Sequence, residues 1–298
     1  MQPTLMSKKI IKFNQSVTTN MISSSDGSST ASIIAGDSRN ILSSIPDGFF
    51  QTCITSPPYW SLRDYGVEGQ IGLESTLDEY IKDLVSIFEE VRRVLRNDGT
   101  FWLNIGDSYT SGNRTWRAPD KKNPARSVSK RPQTPEGLKP KDLIGIPWRI
   151  AFALQSAGWY LRSDIIWYKP NCQPESVRDR PTRSHEYLFF FSKSENYLYD
   201  VEAVKGPNDR RLRSVWSIHS KPYKEAHFAT FPPELIDDPI LLSSKKGDWI
   251  LDPFNGSGTT GEVALLRERN YFGVEINQEY INITKKRLES IGGQIEHQ

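Results

Sequence analysis

The sequence Ile250-Leu251-Asp252-Pro253-Phe254-Asn255-Gly256-Ser257-Gly258-Thr259-Thr260-Gly261 contains the strongest indication of the fold. A short apolar run ends at Asp252, and the glycines that follow have the GxGxxG spacing. Such glycines permit a tight turn from a strand into a helix and let a ligand approach the backbone closely. Residues 271–275 form a second apolar run after a predicted helix at 257–269, so this stretch predicts a βαβ unit.

Two carboxylates of this unit indicate the class of ligand. Glu275 follows the glycines by about 20 positions, where an acidic residue commonly binds a ribose diol. Asp252, which precedes a proline at the strand end, would repel a pyrophosphate but could pair with the amino group of a methionine moiety. The unit therefore predicts an adenosine-type cofactor, and Asp252 favours S-adenosylmethionine over a dinucleotide.

Strands and helices alternate on the N-terminal side of this unit. The clearest helix starts with a capping box at 76–79 and keeps apolar residues at helical spacing until Asn97-Asp98-Gly99. The other predicted strands are 32–37, 49–55, 100–105, 162–169, 186–192 and 249–252, and the other predicted helices are 147–155 and 232–242. This alternation predicts an α/β fold with a mostly parallel sheet and helices on both faces.

A second motif, Thr55-Ser56-Pro57-Pro58-Tyr59-Trp60, follows one of the predicted strands. Consecutive prolines remove backbone donors and stiffen the turn, so the carbonyls of Ser56 and Pro57 are expected to remain available as acceptors. Tyr59 and Trp60 supply aromatic faces. A hydroxyl, rigid carbonyls and a stacking ring suit the exocyclic amino group of a planar base, which donates two hydrogen bonds and stacks. A rigid turn with a packed tyrosine is the alternative, and the cofactor motif weighs against it.

The composition of the sequence indicates the cellular compartment of the protein. No apolar run among the 298 residues approaches the roughly 20 needed to cross a bilayer, which predicts a cytoplasmic protein with no membrane partner. Cys53 and Cys172 show no CxxC pairing, and this favours a reducing compartment over a disulfide framework or structural zinc. Residues 1–30 are rich in Ser and Thr, and we expect them to form a disordered arm.

Positive charge is concentrated in two segments, although the net charge is only +2. Residues 111–142 contain nine Lys or Arg against three acidic residues, and residues 205–224 contain six against one, with aromatic residues interleaved. Two such segments favour contacts with nucleic-acid phosphates over two solvated loops. The predicted DNA-binding residues are Arg114, Arg117, Lys121, Lys122, Arg210, Arg211, Arg213 and Lys221.

With both motifs present, the sequence resembles the DNA amino-methyltransferases, whose signature is Asp, Asn or Ser followed by Pro-Pro and an aromatic residue. The Ser form with Trp after Tyr is similar to the cytosine-N4 enzymes of type II restriction-modification systems. The order of the motifs, Ser56 before Gly256, is that of the β group. The resemblance extends from about Ile33 to Leu288 and implies a Rossmann-like class I methyltransferase fold, with seven strands of which one runs antiparallel.

The resemblance also implies roles for individual residues. Catalysis would fall to Ser56, Pro57, Pro58 and Tyr59. The cofactor would be S-adenosylmethionine, with S-adenosylhomocysteine as product and no metal. Gly36-Asp37 is expected near the adenine and Glu275 at the ribose. The complete set of implied cofactor contacts is Asp37, Phe231, Asp252, Pro253, Phe254, Gly256, Ser257, Gly258, Thr259 and Glu275.

The implied reaction is direct methyl transfer to the N4 amino group of a cytosine that leaves double-stranded DNA and stacks near Tyr59. A restriction endonuclease acting on the same site is a further expected partner. Residues 31–298 would form one methyltransferase domain. Within it, 31–204 would be the catalytic half with a basic insertion at 111–142, 205–228 a target-recognition segment, and 229–298 the cofactor-binding half.

Several alternatives stay open at this stage. Adenine-N6 methylation is the nearest, because the same fold performs both reactions. An NAD-dependent oxidoreductase shares only the glycine spacing, and a DNA-binding protein without activity would share only the fold. Cytosine-C5 methylation requires a cysteine after a proline, and zinc-dependent deamination requires a Pro-Cys-x-x-Cys motif. Neither pattern occurs in the sequence.

Overall fold

A computed structural model describes residues 19–24, 27–111, 132–205, 210–221, 230–292 and 294–296. Within them, ten strands form one sheet in the order β10-β1-β2-β9-β8-β3-β4-β6-β5-β7, and six helices pack against it. The strands are β1 (Thr19–Ser23), β2 (Thr30–Ala35), β3 (Phe50–Thr55), β4 (Leu95–Ile105), β5 (Tyr160–Tyr168), β6 (His185–Ser192), β7 (Val215–Ser217), β8 (Trp249–Asp252), β9 (Asn270–Glu275) and β10 (Gln294–Glu296). The helices are α1 (Ser38–Ser43), α2 (Leu77–Val94), α3 (Ile146–Ser156), α4 (Pro233–Ser243), α5 (Thr259–Leu266) and α6 (Gln278–Ser290).

The α/β class is confirmed, whereas the predicted count of seven strands is too low for the described residues. The seven inner strands, from β2 to β5 in the sheet, contain a single antiparallel member, β6, as the resemblance implied. The additional strands β1, β10 and β7 lie at the two edges. β7 and β10 have three residues each, too few for an alternating pattern to stand out in the sequence.

The predicted disordered arm is wrong for residues 19–23. They form β1, which pairs antiparallel with β2 and with β10, where Met21 lies opposite Glu296. Ile22 is fully buried, so its side chain anchors a strand in which three of the five residues are polar. Residues 1–18, 25 and 26 lie outside the described residues.

Two apolar layers cover the faces of the sheet. One contains buried residues of α1, α2 and α3, and the other contains those of α4, α5 and α6. Helix α2 has the predicted capping box, because Thr76 accepts from the Glu79 amide and Glu79 accepts in return from the Thr76 amide. It ends at Val94, and Asn97-Asp98-Gly99 lies inside β4. Within the described residues, no helix has the length and apolar character to cross a membrane.

Candidate active site

A cavity of about 990 Å³ opens at the carboxyl ends of the parallel strands. The catalytic motif follows β3 and the glycine loop follows β8, and these neighbouring strands pair in parallel through Cys53 and Leu251. Parallel neighbours end at the same edge of a sheet, which is the common ligand edge of open α/β folds. Both motifs therefore line one cavity, although some two hundred residues separate them in sequence.

Glu275 stands on the cavity wall at the end of β9 and holds the glycine loop. One carboxylate oxygen, Oε2, accepts from the Gly256 amide at 2.7 Å, and Oε1 accepts from the Asn277 amide at 2.9 Å. Burial raises the pKa of Glu275 to about 7, against the opposing effect of these two donors. Gly256 has φ +52°, a left-handed conformation that glycine adopts without strain.

Asp252 is the clearest disagreement with the expected cofactor contacts. Its side chain is buried and is not part of the cavity wall. Its carboxylate accepts from the hydroxyls of Thr55 (2.6 Å) and Thr260 (2.7 Å) and from the Phe254 amide (3.0 Å). Burial raises its pKa to about 6, against these three hydrogen bonds. In this structure Asp252 joins the two motifs rather than facing a ligand.

Gly258 also lies off the cavity wall. It precedes α5 with φ +78°, and an added Cβ would stand 2.5 Å from Cγ2 of Thr284. Gly261 allows a similar approach, since an added Cβ would stand 2.8 Å from the Tyr271 ring. These two glycines therefore permit close packing of helices and strand, and only Gly256 of the three borders the cavity.

The other expected cofactor residues line the cavity: Asp37, Phe231, Pro253, Phe254, Gly256, Ser257 and Thr259. Asp37 caps α1 by accepting from the Arg39 amide at 2.9 Å, and it also forms an ion pair with the Arg39 guanidinium at 2.5 Å. Ser257 and Thr259 accept from the buried guanidinium of Arg287. Arg287 thus orients both hydroxyl side chains.

The predicted catalytic turn, Ser56-Pro57-Pro58-Tyr59, lines the same cavity. The Tyr80 hydroxyl donates to the Pro58 carbonyl at 2.8 Å and ties the turn to α2. Trp60, expected to offer an aromatic face, is 3% exposed and lies in the core, where its Nε1 donates to the Glu74 carbonyl at 3.1 Å. Tyr59 is therefore the one aromatic ring of the motif that a ligand could reach.

Sequence reasoning did not detect a polar cluster beside Tyr59, made of the ion pair Glu186–Lys169 and of Asn104. The Tyr59 hydroxyl donates to Glu186 Oε2 at 2.9 Å, and Lys169 Nζ lies 2.5 Å from Glu186 Oε1. Asn104 Nδ2 approaches Oε2 at 3.4 Å. Burial raises the pKa of Tyr59, the negative charge of Glu186 raises it further, and a hydrogen bond with Ser56 lowers it. All of these residues line the cavity.

Gly106 makes room for the Tyr59 ring. An added Cβ at Gly106 would stand 2.8 Å from Cε2 of Tyr59 and 3.3 Å from Cγ of Glu186. Any larger residue there would push the ring or the carboxylate away, so the glycine sets where the ring lies. The only sequence signal for this site is that Glu186, Gly106 and Lys169 occur at predicted strand ends.

The predicted DNA-binding residues are distributed unevenly. Lys221 lines the cavity and forms an ion pair with Glu234. Arg210, Arg211 and Arg213 are exposed near β7 and are not part of the wall. The remaining four, Arg114, Arg117, Lys121 and Lys122, lie outside the described residues. Among the residues that the structure describes, no group of three or more His, Cys, Asp or Glu side chains is arranged to hold a metal ion.

Comparison with known proteins agrees with this geometry. The family model described as DNA methylase, which covers N6 and N4 methyltransferases, matches residues 50–286. The chain belongs to the DNA methylase family. This DNA methylase is 59% identical over 263 residues to the type II methyltransferase M.Cfr9I of Citrobacter freundii, and the match covers 87% of this chain and 88% of the relative.

Solved structures confirm the fold of the methylase. PvuII DNA methyltransferase, described as cytosine-N4-specific, is similar with a TM-score of 0.66 at 22% identity, over 88% of this chain and 89% of that one. The putative DNA modification methylase TTHA0409 of Thermus thermophilus, solved in complex with S-adenosyl-L-methionine, has a TM-score of 0.63 at 24% identity. That match covers 87% of this chain and 93% of the other.

Proposed function

We propose that this methylase transfers a methyl group from S-adenosylmethionine to the N4 amino group of a cytosine flipped out of double-stranded DNA at a specific site. One observation carries the proposal: the Ser56-Pro57-Pro58-Tyr59 turn and the glycine loop with Glu275 line a single cavity. Its volume of about 990 Å³ is at the upper end of ordinary ligand pockets, which suits two ligands side by side.

The residues at the glycine end fit an adenosine-type cofactor. The Glu275 carboxylate can accept from ribose hydroxyls, and Gly256 brings backbone close to the ligand. Asp37 and Phe231 line the wall of the same cavity. S-adenosylmethionine supplies an electrophilic methyl group on its sulfonium and leaves as S-adenosylhomocysteine. The similarity to TTHA0409 in its cofactor complex supports this choice.

At the other end, the catalytic turn suits an amino group conjugated to a base. The Ser56 hydroxyl and the Pro57 carbonyl accept its two hydrogen bonds, which draw the nitrogen lone pair out of conjugation with the ring. Tyr59 stacks on the base. The amino nitrogen forms the new N–C bond while the methyl group leaves the sulfur, and the nitrogen then releases one proton. Asp252 contributes by fixing Thr55, the residue before Ser56.

Ser56, where other members of the family have Asp or Asn, favours cytosine N4 over adenine N6 as the acceptor. The description of the PvuII enzyme as cytosine-N4-specific supports this choice. The type II designation of M.Cfr9I supports a role in protecting DNA from a cognate restriction endonuclease. The basic segments at 111–142 and 205–224 are proposed to contact DNA phosphates, and the second is proposed to recognise the target.

Analysis of the methylated product tests the proposal. DNA incubated with the chain and labelled S-adenosylmethionine is digested to nucleosides and separated. We expect the label in N4-methylcytosine, and none with the Ser56→Ala, Tyr59→Ala double variant. Label only in N6-methyladenine would contradict the acceptor assignment, and equal incorporation by the wild-type and variant chains would contradict the catalytic site. Sequencing the modified DNA then gives the target site.

A further inference from the structure

Four Lys or Arg residues of the described chain line the cavity, and three of them have close partners. Arg63 forms a side-chain hydrogen bond with Tyr65. Lys169 is paired with Glu186, and Lys221 with Glu234. The fourth, Arg183, has only a long ion pair, with Nη1 3.8 Å from Asp107 Oδ2.

Asp107 is itself already satisfied by backbone donors. Its Oδ1 accepts from the amides of Gly145 and Ile146 at 3.0 Å and from that of Ser108 at 2.9 Å. These bonds hold the start of α3, so the carboxylate compensates the charge of Arg183 only in part. The Arg183 side chain is 15% exposed, and its buried Nε has no hydrogen-bond partner among the described residues.

A largely buried guanidinium whose Nε donates no hydrogen bond is costly unless a ligand supplies an acceptor. A planar guanidinium binds phosphate or carboxylate oxygens through two parallel N–H donors. Two anions would enter this cavity under the proposed function: the carboxylate of the cofactor and a backbone phosphate of the target nucleotide. The position of Arg183 beside the sheet distinguishes the carboxylate from the phosphate.

Arg183 lies just before β6, and Asp107 lies just after β4. The sheet order β9-β8-β3-β4-β6 puts the catalytic turn, after β3, between these residues and the cofactor loop, after β8. Arg183 is therefore on the side of the turn away from the cofactor. Ser220, in the basic segment 205–224, lies on the same side. Its backbone exchanges two hydrogen bonds with the Asn171 side chain, at 2.9 and 2.8 Å.

We infer that Arg183 binds a backbone phosphate of the flipped target nucleotide and holds that nucleotide in the cavity. This inference rests on the proposed function and adds a nucleotide-binding residue to it. Arg183→Gln should weaken binding of a duplex with the target site by roughly 10- to 100-fold, because a charge-assisted contact is lost. Arg183→Lys should restore part of the affinity, since it keeps the charge.

Arg178→Gln is the matched control. It removes the same charge from an exposed position in the same loop, away from the cavity wall, and should change DNA affinity less than about twofold. Affinity for S-adenosylmethionine without DNA should be the same in all chains. A loss of cofactor affinity in Arg183→Gln with unchanged DNA affinity would assign the guanidinium to the cofactor carboxylate and overturn the inference.

A duplex with a neutral methylphosphonate next to the target cytosine gives a test with the wild-type protein. At one of the two positions that flank the cytosine, the methylphosphonate should weaken binding by the wild-type chain. At that position it should not weaken binding by Arg183→Gln any further. Equal losses in both chains at both positions would refute the phosphate contact. If the wild-type chain methylates DNA and Arg183→Gln binds it equally well, this inference alone fails. If the wild-type chain methylates nothing, the proposed function fails first.

Discussion

At the scale of single residues, the Tyr59 hydroxyl connects the catalytic turn after β3 to β6, two strands away in the sheet. It donates to Glu186, whose charge is balanced by Lys169 at 2.5 Å. Gly106 has no side chain to displace the ring, since an added Cβ there would stand 2.8 Å from its Cε2. The ring that we expect to stack on the base is thus oriented through its polar end.

Removing this hydrogen bond should slow methyl transfer without affecting cofactor binding. Tyr59→Phe keeps the stacking ring, and we expect kcat to fall about tenfold because the ring loses its anchor. Glu186→Gln keeps an acceptor but breaks the ion pair with Lys169. The two effects should be non-additive in a double-mutant cycle of kcat, with the KM for S-adenosylmethionine unchanged. Fully additive losses would show that the two residues act separately.

The same residues show where sequence reasoning reaches its limit. The motifs at Ser56 and Gly256 have local signatures, because turn geometry depends on neighbouring residues in the chain. Glu186 and Arg183 have none, since their partners come from other strands. The motif predicts a ligand contact for Asp252, because it gives the position of a side chain in the chain but not its direction. Its carboxylate is occupied by Thr55, 197 residues earlier.

At the scale of elements, the glycine loop is held by the carboxylate at the end of β9. Glu275 accepts from the Gly256 amide, so its carboxylate helps to set the shape of the loop. The predicted bounds of β8 agree with the structure, and those of α5 begin two residues early, because Ser257 and Gly258 belong to the turn. Apolar periodicity locates helices and strands better than it locates their ends.

Affinity for S-adenosylmethionine should depend on pH through Glu275. Burial raises its pKa to about 7, and in the proposed complex ribose hydroxyls would donate to the ionised form. Affinity should therefore be highest above about pH 7 and fall, by up to tenfold per unit, as the carboxylate becomes protonated below it. Binding near pH 7 should release protons, which calorimetry in buffers of different ionisation enthalpy measures. Glu275→Gln should bind more weakly with a flat profile, and a wild-type profile equally flat would contradict this role.

At the scale of the whole molecule, the inner sheet follows from the sequence and its edges do not. Buried parallel strands are apolar along their length and stand out, whereas β1, which lies next to the edge strand β10, contributes Ile22 to the core. The pairing of β1 with β10 could not be inferred from any local pattern. It brings the first and the last described strands side by side, with Met21 opposite Glu296.

This pairing makes the order of the two motifs experimentally reversible. A circular permutant would join the chain ends with a short Gly/Ser linker and open the chain between β7 and α4. The permuted chain would begin with α4, β8 and the glycine loop, and it would end with the basic segment 205–224. We expect it to fold and to methylate the same site, as judged by circular dichroism and by label incorporation. A soluble, folded permutant without activity would contradict this expectation. An active permutant would show that the order of the two motifs in the sequence depends only on where the chain begins and ends, and that the same cavity forms in either order.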